Sequence, residues 1–103
     1  MDLSQKDWIA KQESDQDAII IDVRTEEEWN FGVIDGAIEI DIYKGEEFLA
    51  EINKLDKSKN YFIYCKAGGR SAQACAVMNS LGFVNTYNLV GGIMAWTGEL
   101  VNK

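Results

Sequence analysis

The run Tyr61-Phe62-Ile63-Tyr64-Cys65-Lys66-Ala67-Gly68-Gly69-Arg70-Ser71 sets a cysteine between an apolar strand pattern and a short loop holding two glycines and two cations. A helix-forming segment follows. That order suits a nucleophilic thiolate, because a free thiol titrates at about 8.5 and is only a few per cent ionised at neutral pH. Three influences can converge on Cys65: loop N–H groups, the positive end of the following helix, and the charges of Lys66 and Arg70. A fall to about 6 would represent roughly 3.4 kcal/mol of preference for the thiolate.

Composition narrows the chemistry. Histidine is absent, which removes the commonest general base and the commonest zinc ligand. Cysteine–histidine hydrolysis and zinc sites lose their support, and neither a metal nor an organic cofactor is expected. The two cysteines sit in different contexts, Cys65 at a strand end and Cys75 inside a helical pattern, so no disulfide is expected. Ten basic against seventeen acidic residues give a net charge of −7, which argues against nucleic acid or an anionic membrane as partner. An anionic substrate would need the local positive patch of Lys66 and Arg70. No apolar run approaches the length of a membrane span, and Met1-Asp2-Leu3-Ser4 lacks the pattern of a secretion signal, so a cytoplasmic location is expected. The length of 103 residues fits one domain, 1–103, acting as a monomer.

The elements that must position Cys65 follow from the pattern around it. Ser4 caps a short helix ending near Ser14. Ala18-Ile19-Ile20-Ile21 reads as a strand buried on both faces of a parallel sheet. Thr25 caps a helical turn at Glu26-Glu27-Glu28-Trp29, and Gly32 stops it. Ala37 to Ile40 is a second strand, and Gly45 to Leu55 carries Phe48, Leu49, Ile52 and Leu55 at helical spacing. Tyr61 to Tyr64 is a third strand at the centre of the sheet. Ser71 to Leu81 is an alanine-rich helix, Thr86 to Leu89 a fourth strand, and Gly91-Gly92 leads into a last helix through Ile93, Met94 and Trp96. Alternating strands and helices imply right-handed crossovers and a three-layer α/β/α sandwich with a four- to five-stranded parallel sheet. Cys65 then lies at a carboxyl strand end, where open α/β sheets bind ligands.

Four segments together resemble a single-domain rhodanese of the thiosulfate sulfurtransferase-like family. They are Ile20 to Arg24, Glu28-Trp29 with Gly32 to Ala37, Tyr64-Cys65 through Arg70-Ser71, and Leu89 to Trp96. The resemblance implies a persulfide cycle. Cys65 takes a sulfane sulfur from a small anionic donor such as thiosulfate and passes it to a thiophilic acceptor such as cyanide or a thiol, protein persulfides among the partners. Lys66, Ala67, Gly68, Gly69, Arg70 and Ser71 would bind substrate. Two departures stand out. Val33 and Asp35 replace the family's usual histidine and proline, in a loop read here as structural. The chain also begins almost at its first helix, which favours four strands over five. Cys65 through Arg70 spans six residues, which resembles the sulfur-handling loops, whereas the related phosphatases and arsenate reductases carry one more. A tetrahedral phosphate oxyanion needs a wider cradle than a persulfide.

Blander readings compete at each position. Arg70 is read as an anion ligand over an ion-pair partner. Asp22 and Arg24 are read as a buried ion pair or capped turn, with a supporting place beside the site as the alternative. Cys75 is read as core filler and Glu26 to Glu28 as a solvated helix start. The expected function is sulfur transfer. Its rivals are a sulfur carrier or anion-binding module without turnover, and a cysteine-based phosphatase.

Overall fold

The computed structural model describes residues 1–102. Five parallel strands run through it: β1 (Asp2–Leu3), β2 (Ile19–Asp22), β3 (Ile38–Glu39), β4 (Asn60–Tyr64) and β5 (Asn85–Leu89), in the spatial order β1-β5-β4-β2-β3. The strand that ends at Cys65 is therefore central. It pairs with β2 from Ile19↔Tyr61 to Asp22↔Tyr64 and with β5 from Asn60↔Asn85 to Ile63↔Asn88. Successive side chains of β4 alternate between two cores, as the two-residue period of a strand requires. Tyr61, Ile63 and Cys65 join Ile21, Val23, Phe48, Ile52, Ala74, Cys75, Met78 and Phe83 on one face. Phe62 and Tyr64 join Trp8, Ile20, Ile34, Tyr87 and Leu89 on the other.

Helices α1 (Gln5–Glu13), α2 (Glu26–Trp29), α3 (Glu46–Asn53) and α4 (Gly69–Ser80) complete the sandwich. The second core contains Trp8 from α1. Its ring meets Phe62 and Trp96 edge-on at 5.7 and 5.9 Å, and its indole N–H donates to the Tyr87 carbonyl at 3.2 Å. Ser4 accepts from Asp7 N and Thr25 from Glu28 N, so both expected caps are present. Among the described residues no helix is long and apolar enough to cross a membrane.

The expected sheet of four to five strands takes the larger number, against the leaning towards four, and one expected element is corrected. The sheet has five strands, because three residues ahead of the first helix suffice for an edge: Asn88 N donates to Met1 O at 2.8 Å and Val90 N to Leu3 O at 2.9 Å. The last helix is a single 3₁₀ turn, Ile93–Ala95. The N–H groups of Ile93 and Met94 bind the carbonyls of Cys65 and Lys66, and the chain turns extended at Trp96. Its role is to brace the Cys65 loop.

Candidate active site

The loop after β4 owes its shape to two glycines. Gly68 takes a left-handed φ of +108° as it hands the chain to α4, and its N–H donates to the Cys65 sulfur at 3.1 Å. Gly92, at φ +57°, lies against the loop from behind, where an added Cβ would stand 2.4 Å from the Lys66 carbonyl oxygen. Ile93 N and Met94 N then donate to the carbonyls of Cys65 and Lys66, both at 2.9 Å. Loop carbonyls are drawn away on one side while an N–H is presented to sulfur on the other. That polarity favours an anion.

Cys65 is 1% exposed. Burial pushes its thiol up, but donors outweigh it: the Ser71 hydroxyl first, then the backbone N–H groups of Ser71, Gly68 and Ala67, so the thiol titrates below its ordinary value. The Ser71 hydroxyl oxygen is 3.3 Å from Sγ. The activation draws on two of the three expected influences, the loop N–H groups and the start of the following helix. Hydrogen bonds from the first turn of α4 carry it, and the charges of Lys66 and Arg70 are not among its main causes. Cys75, buried on α4, is pushed up chiefly by desolvation, which keeps it a neutral core thiol. Both cysteines are free.

Arg70 has a carboxylate partner across the fold. It closes on Glu28 in a two-pronged ion pair, Nη1–Oε1 at 2.6 Å and Nη2–Oε2 at 2.8 Å, and its guanidinium lies over the Tyr43 ring at 5.5 Å. Glu28 is thus no mere solvated carboxylate. Its Oε1 also accepts from the Thr25 backbone N–H at 3.3 Å, completing the cap of α2, and Arg70 above all holds the group down at about 2. Lys66 is exposed and forms no ion pair among the described residues, which leaves it as the loop's uncompensated cation. Ala67 and Gly69 are also exposed.

Asp22 and Arg24 form a buried pair, with Nη2–Oδ2 at 2.7 Å. Arg24 Nη2 also donates to the Gly32 carbonyl at 2.8 Å, and the Tyr64 hydroxyl accepts from Ile34 N at 3.0 Å. The pair thereby pins the loop that carries Val33 and Asp35. Arg24 reaches the site's edge as well, lining a cavity of about 270 Å³ together with Glu28, Phe31, Lys66, Ile93 and Met94. Phe31 and Met94 are 87% and 71% exposed, an apolar rim beside the cationic loop. Sequence reasoning missed this rim, the Glu28–Arg70 clamp and Asn88. For Asn88 a signal existed, since a polar amide in a strand otherwise set for burial asks for a partner.

A thiol held among N–H and O–H donors at the carboxyl edge of the central strand defines the molecule as a cysteine-centred α/β protein. The rhodanese-like domain model matches residues 5–99, and the chain belongs to that family, as its motifs suggested. It is 39% identical over 93 residues to YtwF of Bacillus subtilis, which carries a provisional sulfurtransferase name, covering 90% of this chain and 86% of YtwF. It is 33% identical over 98 residues to YrkF of the same species, provisionally named a sulfur carrier protein, covering 95% of this chain and 51% of YrkF. The crystal structure of a rhodanese-like domain protein from Staphylococcus aureus superposes with a TM-score of 0.84 at 29% identity, covering 99% of this chain and 97% of that one. In the tRNA uridine(34) hydroxylase of Pelagibacter ubique the match spans 30% of the longer chain.

Proposed function

We propose that this protein is a cytoplasmic, rhodanese-type sulfurtransferase that works by double displacement through Cys65. The observation that carries this reading is the sulfur's setting: Sγ receives Gly68 N at 3.1 Å and lies 3.3 Å from the Ser71 hydroxyl, inside a chain of net charge −7. In the first step the Cys65 thiolate attacks the outer sulfur of thiosulfate. An S–S bond forms to Sγ, the S–S bond to the sulfonate breaks, and its electron pair leaves on sulfite. In the second, cyanide or a thiolate attacks the outer persulfide sulfur, and the electron pair of the broken bond returns to Sγ.

Burial is compatible with this sequence. Only the slim sulfane end of the donor must reach Sγ, and the persulfide then carries the reactive atom about 2 Å outward. Lys66 is placed to attract anionic donors, and the Phe31–Met94 rim suits an acceptor with an apolar body. The six-residue loop weighs against phosphatase chemistry, in which the cradle must hold a tetrahedral oxyanion.

Incubation with thiosulfate and cyanide tests the proposal, with Cys65→Ser as control. Thiocyanate is expected from the parent protein and none above background from the variant. No product from the parent, or an undiminished yield from Cys65→Ser, would sink the assignment. The similarity to YrkF favours one second reading, a carrier that is loaded without turning over. Mass spectrometry separates the two, because a carrier gains one sulfur atom on Cys65 and retains it in the presence of cyanide.

A further inference from the structure

A polar chain runs behind the loop from the edge strand to the sulfur, exposed at Asp2 and buried at Asn88 and Ser71. Asp2 Oδ1 accepts from Asn88 Nδ2 at 3.0 Å, and the same amide nitrogen donates to the Gly68 carbonyl at 3.3 Å. Asn88 Oδ1 accepts from the Ser71 hydroxyl. That hydroxyl oxygen also stands 3.2 Å from the Gly68 carbonyl and 3.3 Å from Cys65 Sγ. Ser71 and Asn88 are both buried, so water does not complete their bonding.

A hydroxyl has one proton to give, and here three acceptors face it. The sense of the Asn88 amide is fixed from its far side. A carboxylate and a carbonyl can only accept, so Asp2 and Gly68 both claim the NH₂ end and leave Oδ1 turned to Ser71. In the sulfur-transfer cycle, Sγ changes its demand for that proton. As a thiolate it bears the charge, and an anion outcompetes a neutral carbonyl. As the inner sulfur of a persulfide it is uncharged and a weak acceptor, the charge having moved to the outer atom.

We propose that Asn88 is a positioning residue whose carbonyl holds the Ser71 proton while Sγ is uncharged and releases it to Sγ when the thiolate forms, with Asp2 fixing the amide's sense. No proton changes owner; the hydroxyl turns between two acceptors. During sulfur discharge that turn supplies a hydrogen bond to the departing Cys65 thiolate as the S–S bond breaks. The persulfide half of this inference rests on the sulfur-transfer reading, while the thiolate half stands without it. Other charged groups around the sulfur are Arg70, whose charge interacts with that of Cys65, and the exposed Lys66.

The test is a reciprocal swap, Asp2→Asn with Asn88→Asp, which conserves net charge and an amide–carboxylate contact but sets the carboxylate against Ser71. Ultraviolet thiolate absorbance against pH, with a Cys65→Ser blank subtracted, reads the Cys65 pKa. The swap should raise it by about one unit, and adding Ser71→Ala to both swap and parent should remove at least half of that difference. An equal difference with and without the hydroxyl would overturn the inference. Should the swap fail to fold, NMR on the unsubstituted protein decides. The Asn88 side-chain amide signals should move with the Cys65 titration and stop doing so in Ser71→Ala. Signals that stay still in the parent, or move identically in Ser71→Ala, would refute it. Neither measurement needs turnover, so a failed thiocyanate assay removes the function and leaves this inference to its own result.

Discussion

Replacing Glu28 with glutamine tests whether the clamp on Arg70 is an electrostatic device or packing alone. Glu28 is held down from an ordinary 4.5 to about 2, a fall of about 2.5 that at about 1.36 kcal/mol per unit sets a ceiling near 3.4 kcal/mol. The two side chains are 26% and 18% exposed, and solvent screening brings the expected loss in Glu28→Gln to about 1–2 kcal/mol near neutral pH. For a domain of this size that is a fall in Tm of about 5–15 °C. The sign with pH follows from a depressed carboxylate. Its contribution is complete above the unfolded value of about 4.5 and is lost as pH falls through about 2, so at about pH 3 some two fifths of it survives. Urea unfolding at about pH 7 and about pH 3 should therefore show a gap between parent and variant that shrinks by more than half. The variant also releases Arg70 towards the loop, so the KM for thiosulfate should fall. A stability gap of equal size at both pH values would refute the electrostatic account and leave shape as the cause.

Three further outcomes are expected. Gly92→Ala drives a Cβ to within 2.4 Å of the Lys66 carbonyl, whereas Gly36→Ala, also at positive φ, meets nothing within 4 Å. Thermal melts should show the Gly36 variant losing about 1 kcal/mol and the Gly92 variant clearly more, with thiocyanate production lost only in the latter. Arg24→Ala strands the buried Asp22 carboxylate and should cost about 3–5 kcal/mol in denaturant unfolding. Cys75→Ala removes a buried, neutral thiol and should leave sulfur loading of Cys65 unchanged by mass spectrometry, at a stability cost of about 1 kcal/mol.

The sequence is most legible where one local rule decides the outcome. The branched run Ile19-Ile20-Ile21, the Thr25–Glu28 cap and the strand leading into Cys65 each follow from neighbours in the chain. β1 is illegible because two residues carry no period, and only pairing with Asn88 and Leu89 makes them a strand. The Glu28–Arg70 clamp spans 42 residues of sequence and the Asp2–Asn88 contact 86. Such partnerships are set by the crossovers, and local pattern is blind to them. The 3₁₀ turn at Ile93–Ala95 fails as a helix for the same reason, since its N–H groups serve a loop nearly thirty residues earlier.

These long-range partners explain how an acidic protein supports a thiolate. A cysteine activated mainly by nearby cations would be weakened by seventeen carboxylates and by the pairing that claims Arg70. Donors fixed by the backbone are not neutralised in that way, because a carboxylate elsewhere on the surface cannot remove the Gly68 N–H from Sγ. Surface charge is screened within about 8–10 Å at ordinary ionic strength, whereas a hydrogen bond at 3.1 Å to a buried sulfur is not. The site therefore divides the work. The first turn of α4 ionises the sulfur, Glu28 keeps Arg70 folded back against α2, and Lys66 remains as the exposed charge that incoming anions meet. Of these groups Lys66 and the partly exposed Glu28–Arg70 pair answer to salt, whereas the hydrogen bonds to the sulfur do not. Raising ionic strength should then weaken donor capture while leaving the Cys65 pKa nearly fixed, a separation that charge-driven activation does not allow.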